Sequence, residues 1–243
     1  MMRTAHLVLG LVLLAGMASD LRADDRDPWE GFNRVMFTFN DHVDRWVLEP
    51  VAKGYDVITP DELQRCISNF FWNLKTPVSG VNNLFQAKPL GAAKELGRFT
   101  VNTTIGLAGF LDPASYFGID RQNEDFGQTL GVWGVPQGPY LVLPLFGPSS
   151  VRDTGGLVVD SALTPTWYFI DSVVTIGTRV VETVNARSLV LREVEDARAG
   201  AIDFYGFLRD AYLQHRDAEV NDHGERSRDD GDSLYYPDAA SAR

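Results

Sequence analysis

The sequence has little of the two side chains that build most metal centres and many catalytic ones, cysteine and histidine. Its 243 residues include one cysteine, Cys66, and four histidines. A single cysteine excludes an intramolecular disulfide and a cysteine-rich zinc site. Only His42 falls in the patterned body of the chain, because the other three lie near the two ends. We therefore expect no metal site, no cofactor and no histidine-based enzyme.

Positive charge is also scarce. Lys and Arg total 22 against 33 Asp and Glu, which gives a formal charge of −11. A surface with that balance repels nucleic acid and anionic lipid headgroups, so no nucleic-acid role is expected. The sequence has no P-loop motif, and no G-x-S-x-G nucleophile elbow forms around Ser149. Some carboxylates could form an acid/base pair, although caps and ion pairs are their commoner use: Asp112, Glu124, Asp125 and Asp153.

The first residues have the composition of a secretory signal. Arg3 precedes an apolar run from Leu7 to Ala18, which is long enough for a signal-peptide core and too short to span a bilayer comfortably. Cleavage after Ala18 or Ala23 would release the mature chain, and we assign residues 1–23 to the signal peptide. An acidic, cysteine-poor exported chain indicates a bacterial envelope protein.

Beyond Trp29, apolar residues recur mostly every three or four positions, which predicts amphipathic helices. We expect Thr59 to cap one helix and Ser150, with Asp153, to start another. Residues 77–89 favour a connection between two helices, and only Tyr140–Phe146 has the pattern of extended chain. The charged, Gly- and Ser-containing end over residues 218–243 predicts a disordered tail. The sequence thus predicts one helical domain over residues 24–217.

The aromatic content leaves two interpretations open. The chain has 14 Phe, 5 Trp and 8 Tyr, with Asn and Thr interleaved along the predicted helices. One interpretation is a helical core with capped ends and polar outer faces. The other is a set of helices lying in a membrane interface, with apolar side chains outside and polar faces gathered inward.

Five different segments, spread along most of the chain, carry specific motifs. They are Asp27-Pro28-Trp29-Glu30-Gly31-Phe32-Asn33-Arg34, Arg98-Phe99-Thr100-Val101-Asn102-Thr103, Asp112-Pro113-Ala114, Glu124-Asp125-Phe126-Gly127-Gln128-Thr129-Leu130 and Gly138-Pro139-Tyr140-Leu141-Val142-Leu143-Pro144-Leu145-Phe146-Gly147-Pro148-Ser149. Together they resemble the VacJ/MlaA family of outer-membrane phospholipid-removal lipoproteins, from the first motif to about Arg216.

The resemblance implies an all-α fold: a single ring-like helical domain with amphipathic helices lying in a membrane leaflet and a polar central channel. It implies a protein at the periplasmic face of the outer membrane that is not an enzyme. Such a protein removes misplaced phospholipid from the outer leaflet and passes it to a soluble periplasmic carrier, often while docked on a porin trimer. A structural, porin-associated envelope protein that moves no lipid is the alternative.

By position in the family-like segments, five residues are candidates for the lipid path or channel rim. We assign Phe39 and Asn40 to a ridge around the channel. We assign Asn82, Asn83 and Phe85 to a moving loop near the pore. Core packing is the alternative for Phe39 and Phe85, and turn formation is the alternative for the two asparagines.

One position departs from the family pattern. Leu14-Ala15-Gly16 is the tripeptide that precedes the acylated cysteine of a bacterial lipoprotein, yet the next residue is Met17. A methionine cannot form the thioether, so no lipidation is expected there. The tripeptide is also ordinary signal-peptide composition. A lipid anchor is therefore doubtful for this chain.

Overall fold

A computed structural model describes residues 26–164 and 171–221 of the chain. The described part is mostly helical, which confirms the all-α prediction, and it adds one small antiparallel hairpin. The predicted signal peptide, Met17 and tail residues 222–243 lie outside the described residues. The elements are α1 Glu30–Val43, a π-helical turn Asp44–Leu48, α2 Glu49–Ile58, α3 Asp61–Phe85, α4 Pro89–Thr104, α5 Pro113–Tyr116, α6 Phe126–Val132, β1 Tyr140–Leu143, β2 Gly147–Ser150, α7 Val151–Leu163, α8 Ser172–Ser188, α9 Leu191–Gly200 and α10 Phe204–Val220.

The contacts between these elements close into a ring. The first helix, α1, continues through the π-helical turn into α2, which packs on α8, and α8 packs on α3. From α3 the contacts pass to α6, then to α10, then to the hairpin, and the hairpin returns to α1. The long antiparallel neighbours α3 and α4 form the most extensive helix pair. The ring-like helical domain predicted by the family resemblance is confirmed.

The hairpin is attached to α1 by two asparagine amides. Asn33 donates to the carbonyl of Tyr140 at 3.0 Å and accepts from the Val142 amide at 2.9 Å. Asn40, two turns later, repeats this with Leu143 and Leu145 at 2.9 and 2.8 Å. An amide carries both a donor and an acceptor, so each one satisfies a strand edge that would otherwise stay unpaired.

The connection predicted for residues 77–89 is wrong in most of its length, because α3 runs through Pro77 to Phe85. Proline removes one helical hydrogen bond, but packing against α4 outweighs that loss. The side-chain amides of Asn82 and Asn83 donate to the carbonyls of Val78 and Ser79, one turn back in the same helix.

Other helix ends are close to their predicted places. Ser150 caps α7 by accepting from the Asp153 amide at 3.1 Å, as predicted. Thr59 does not cap α3: it follows α2, and its amide donates to the carbonyl of Tyr55. The last helix ends at Val220 rather than at residue 217.

Burial is inverted relative to an ordinary soluble domain. One small apolar cluster joins the hairpin to α10, formed by Tyr140, Val142, Tyr205 and Leu213. Most other buried side chains are polar or charged, whereas large apolar side chains lie on the outside: Val57 is 86% exposed and Tyr116 is 90% exposed. This bears out the interpretation with apolar residues outside and polar faces inside. Over the described ranges, no helix is both long enough and apolar enough to cross a bilayer.

Candidate functional site

A polar cavity of about 250 Å³ lies between α3, α4, α7, α8 and the segment 121–125. Its wall contains both signs of charge together with amides and hydroxyls. The lining residues include Asn69, Trp72, Asn73, Lys75, Ser79, Glu95, Arg98, Asn102, Arg121, Gln122, Glu124, Asp160 and Arg179. A cavity of this size admits a small polar group.

Asp112 organises one side of the cavity. Arg98 donates to both of its carboxylate oxygens at 2.8 Å, and Arg121 donates to one of them at 2.8 Å. Asn102 adds a third donor at 2.9 Å. Burial alone would raise the pKa of Asp112, but the hydrogen bonds from Arg121 and Ser115 and the two guanidinium charges hold that pKa below its usual range. Two cations therefore meet at one ionised carboxylate, which leaves this group of three with a positive surplus.

Glu182 likewise holds two cations that line the cavity. Lys75 and Arg179 approach its carboxylate at 2.6 and 3.0 Å. Trp72 lies between the two clusters, with the Lys75 ammonium 5.6 Å and the Arg121 guanidinium 5.5 Å from its ring centroid. Cations at this distance from an indole are attracted by its electron-rich face. The indole therefore brings the two positive clusters together at one wall of the cavity.

Glu95 differs from the other carboxylates of the wall. It is 3% exposed, and it accepts from the backbone amide of Gln122 at 2.6 Å. In the part of the chain that the structure describes, no cation lies within ion-pair distance of it. Burial raises the pKa of Glu95 to about 7, although Arg98 and Arg121 act in the opposite direction.

Two further acidic groups of the wall, Asp160 and Glu124, have partners for both oxygens. Asp160 accepts from the Asn82 amide at 2.9 Å and from the Phe126 backbone amide at 2.9 Å. Glu124 accepts from Gln86 at 2.7 Å and from Lys88 at 3.0 Å. These two carboxylates hold neighbouring elements together, whereas Glu95 keeps capacity for a further donor.

The five residues predicted for the channel rim do not form one site, and none lines this cavity. Phe39 is exposed on α1, while Asn40 binds the hairpin as described above. Phe85 is half-exposed at the end of α3, and its carbonyl accepts from the Trp133 indole at 3.0 Å. Phe39 and Phe85 therefore do not belong to an apolar core.

Asn82 and Asn83 are fully buried in α3, so the predicted loop location is wrong for both. Asn82 lies behind the cavity wall, where it donates to Asp160 and accepts from the Thr129 hydroxyl at 3.0 Å. Asn83 packs where α3 crosses α4: a Cβ added at Gly91 would lie 2.0 Å from its Oδ1. Both residues support the wall without facing the cavity.

Sequence reasoning missed the charged residues of the wall. It expected asparagine and threonine inside, and both residue types are in the wall, including Asn69, Asn73 and Asn102. The acidic residues considered for catalysis do serve as caps and ion-pair partners: Asp112 caps α5 and Asp125 caps α6. The spacing of Glu95 and Arg98 on one face of a helix was the available signal for a polar interior.

No group of three potential metal ligands comes together anywhere in residues 26–164 and 171–221. The cavity wall offers charged and hydrogen-bonding groups to a bound molecule. Fold and site together define a class of protein, a helical ring with a charged interior and an apolar exterior.

The chain belongs to the MlaA lipoprotein family, whose profile matches residues 25–219. It is 38% identical over 224 residues to the "Intermembrane phospholipid transport system lipoprotein MlaA" of Haemophilus influenzae, covering 88% of this chain and 89% of the relative. It is 34% identical over 227 residues to the protein of the same name from Escherichia coli K12, and the match covers 90% of this chain and 89% of the relative. An uncharacterised protein of Rickettsia felis is 36% identical over 195 residues, or 80% of this chain and 78% of that protein.

A solved structure described as "Structural basis for maintenance of bacterial outer membrane lipid asymmetry" has a TM-score of 0.72 to this chain. It shares 35% sequence identity, and the match covers 82% of this chain and all of that chain. The family membership and the helical ring are thus supported by sequence and by structure.

Proposed function

We propose that this protein transports phospholipid at the bacterial outer membrane and thereby maintains lipid asymmetry. The single observation that carries the proposal is the inversion of the fold, with a charged cavity inside and large apolar side chains outside. The names of its relatives agree with this role: they describe intermembrane phospholipid transport and outer-membrane lipid asymmetry.

The energetics favour such a shape. Each buried CH₂ group is worth about 0.8 kcal/mol, so exposing two acyl chains of about 15 methylenes to water costs on the order of 25 kcal/mol. A protein with no energy source must therefore keep the chains in lipid or against apolar surface. Charged headgroups are costly in hydrocarbon and need a polar path. The exterior supplies the first environment and the cavity supplies the second.

The exterior also accounts for membrane attachment in this proposal. Exposed apolar side chains cluster between Ile105 and Phe117, at the end of α4 and around α5. Buried in a leaflet, they would hold the ring at the periplasmic face of the outer membrane. Because Met17 cannot carry a thioether-linked lipid, we propose that this apolar surface supplies the attachment.

Two protein partners complete the proposal. A soluble periplasmic carrier would receive the phospholipid, since the acyl chains need cover on leaving the membrane. A porin trimer would serve as a docking partner beside the ring, as the family resemblance implies. The activity is non-enzymatic, because the cavity provides charge and hydrogen bonds for binding.

Among the five rim candidates, Asn40 would keep the hairpin against α1. Phe39 and Phe85 would contact lipid from the outside, since both are exposed. Asn82 and Asn83 would act by keeping the cavity wall in place. Asn82→Ala is expected to increase surface-exposed phospholipid at unchanged protein abundance. Unchanged lipid asymmetry in that variant would remove Asn82 from the mechanism.

The experiment that tests the function compares a deletion strain with the same strain complemented by the full chain. Labelling of surface amine lipids with a membrane-impermeant reagent should increase on deletion and return to the starting value on complementation. Lipid extraction of the purified protein should yield phospholipid. No co-purified phospholipid together with intact asymmetry in the deletion strain would instead favour a structural, porin-associated protein.

A further inference from the structure

Glu95 lines the cavity, and phospholipid transport as proposed above gives it no role. Its carboxyl is buried in the wall of a cavity, and one oxygen accepts from the Gln122 amide. For a carboxylate buried without a cation, one backbone hydrogen bond offsets only part of the lost hydration energy. Burial accordingly raises the pKa of Glu95 to about 7, so the group is partly protonated at neutral pH. A cationic group entering the cavity would supply the missing counter-charge.

The charges around Glu95 restrict which kind of molecule can carry that cationic group into the cavity. Arg98 on the same helix and Arg121 on the facing segment are close enough to influence the Glu95 carboxyl, and both donate to Asp112. Lys75 and Arg179 add a second positive cluster at Glu182. A free cation would be repelled by these four groups. A molecule that carries its positive charge beside a negative one would match both parts of the wall.

We infer that Glu95 binds the ammonium group of a zwitterionic phospholipid headgroup, such as phosphoethanolamine, while the phosphate faces the cationic clusters around Trp72. This inference rests on the proposed phospholipid transport and adds to it a headgroup preference. The cavity volume of about 250 Å³ fits a phosphate ester with a short amine arm and leaves the acyl chains outside. A primary ammonium has three donors, and the second oxygen of Glu95 can accept one of them.

The test is a competition between headgroups. The purified full chain is equilibrated in detergent micelles with equal amounts of dioleoyl-phosphatidylethanolamine and dioleoyl-phosphatidylglycerol. Native mass spectrometry then gives the ratio of the two bound lipids. We expect phosphatidylethanolamine to predominate on the wild-type protein. In Glu95→Gln the ratio should fall by roughly tenfold, because a hydrogen bond to a charged group is lost while the acceptor for the Gln122 amide is kept.

A matched control removes the same charge elsewhere. Glu193 is exposed on α9 and is not part of the cavity wall, so Glu193→Gln should keep the wild-type ratio. If Glu95→Gln also keeps it while binding lipid, Glu95 merely holds the Gln122 amide and the headgroup inference is overturned. Transport of phospholipid as such would then still stand.

Two measurements on the wild-type protein test the inference even if Glu95→Gln does not fold. If the wild-type protein binds neither lipid, the proposed function itself fails, and the headgroup inference fails with it. If Glu95→Gln does not fold, the wild-type protein alone decides. It should prefer phosphatidylethanolamine over phosphatidylmethanol, which has the phosphodiester without an ammonium group. Equal occupancy by these two lipids would overturn the inference.

Discussion

Asparagine side chains in this protein bind backbone groups inside the fold, a use that a list of polar residues does not reveal. Asn102 donates to Asp112 at 2.9 Å and accepts from the Ala114 amide at 3.0 Å. Asn33 and Asn40 do the same for the hairpin. Because an amide is uncharged, it satisfies buried backbone without the desolvation cost of an ionised group. The interior can therefore be polar and still be stable.

Replacing the carboxylate that holds Arg98 and Arg121 in the cavity wall should be severely destabilising. Asp112→Asn leaves Arg98 and Arg121 without their shared negative partner in a buried site. We expect the free energy of unfolding, measured by denaturation in detergent with circular dichroism, to fall by about 3–5 kcal/mol. Asp210→Asn removes an exposed partner of Arg209 and should cost less than about 1 kcal/mol. Equal effects of the two substitutions would contradict this account of Asp112.

The raised pKa of Glu95 predicts how stability changes with pH. The carboxyl goes from an ordinary pKa of 4.5 to about 7 on folding. Between these values the folded protein holds a proton that the unfolded chain releases, so this group's stabilisation is complete below pH 4.5 and is lost as pH rises through 7. Glutamine does not titrate, so the free energy of unfolding of Glu95→Gln does not fall for this reason as pH rises. Relative to wild type, its free energy of unfolding should gain about 3 kcal/mol from pH 4.5 to pH 8.

The check is urea denaturation of both proteins across this pH range. Groups other than Glu95 titrate in both proteins, so their contributions cancel in the difference. Parallel stability curves for wild type and variant would show that the Glu95 carboxyl keeps an ordinary pKa in the folded protein.

At the scale of elements, the pairing of α3 with α4 determines the shape of the cavity wall. The two helices approach closely where Gly91 faces Asn83, and a Cβ at Gly91 would lie 2.0 Å from the Asn83 Oδ1. The same pairing explains why Pro77 does not end α3: packing along its whole length compensates for one missing hydrogen bond. Helix ends were predicted from local signals, and those signals are weaker than tertiary packing.

A matched pair of glycine substitutions tests this crossing. Gly91→Ala should reduce the free energy of unfolding by about 1–3 kcal/mol, because the added methyl group displaces Asn83. Gly97 lies on the same helix, and a Cβ added there would have no neighbour closer than 3.9 Å. Gly97→Ala should be neutral or stabilising by up to about 1 kcal/mol. Thermal unfolding in detergent gives both values, and a Gly91→Ala protein as stable as Gly97→Ala would rule out the tight crossing.

At the scale of the whole molecule, the inverted distribution of side chains is what distinguishes this protein from a soluble helical bundle. The outer surface carries large apolar side chains on most helices, including Trp46 at 78% and Ile58 at 79% exposure. Exposed apolar area on this scale has to be covered by lipid or protein. The acidic character of the sequence works against attraction to anionic headgroups, so apolar burial has to provide most of the binding energy.

The apolar outer surface around α5 is expected to insert into membranes, and a substitution there tests this. Phe117 is 64% exposed within the apolar stretch around α5. Phe117→Glu should weaken association with phosphatidylcholine vesicles at least tenfold in a flotation assay, because it removes about 1.5–3 kcal/mol of apolar burial and adds a charge. Ala199→Glu adds the same charge on the polar helix α9, where Ala199 is exposed, and should bind like wild type. Identical binding of both variants would exclude insertion of the α5 region.

The sequence by itself determined the helical class, the positions of most helices and the family, because periodicity and local motifs are short-range properties of the chain. Its aromatic, Asn and Thr content left open whether the polar faces point outward or inward. The tertiary structure alone decided that α3 continues to Phe85, that Asn82 and Asn83 are buried, and that Glu95 and Trp72 line one cavity, where Arg98 and Arg121 share the carboxylate of Asp112. Contacts between segments tens of residues apart set these features, and no local pattern encodes them.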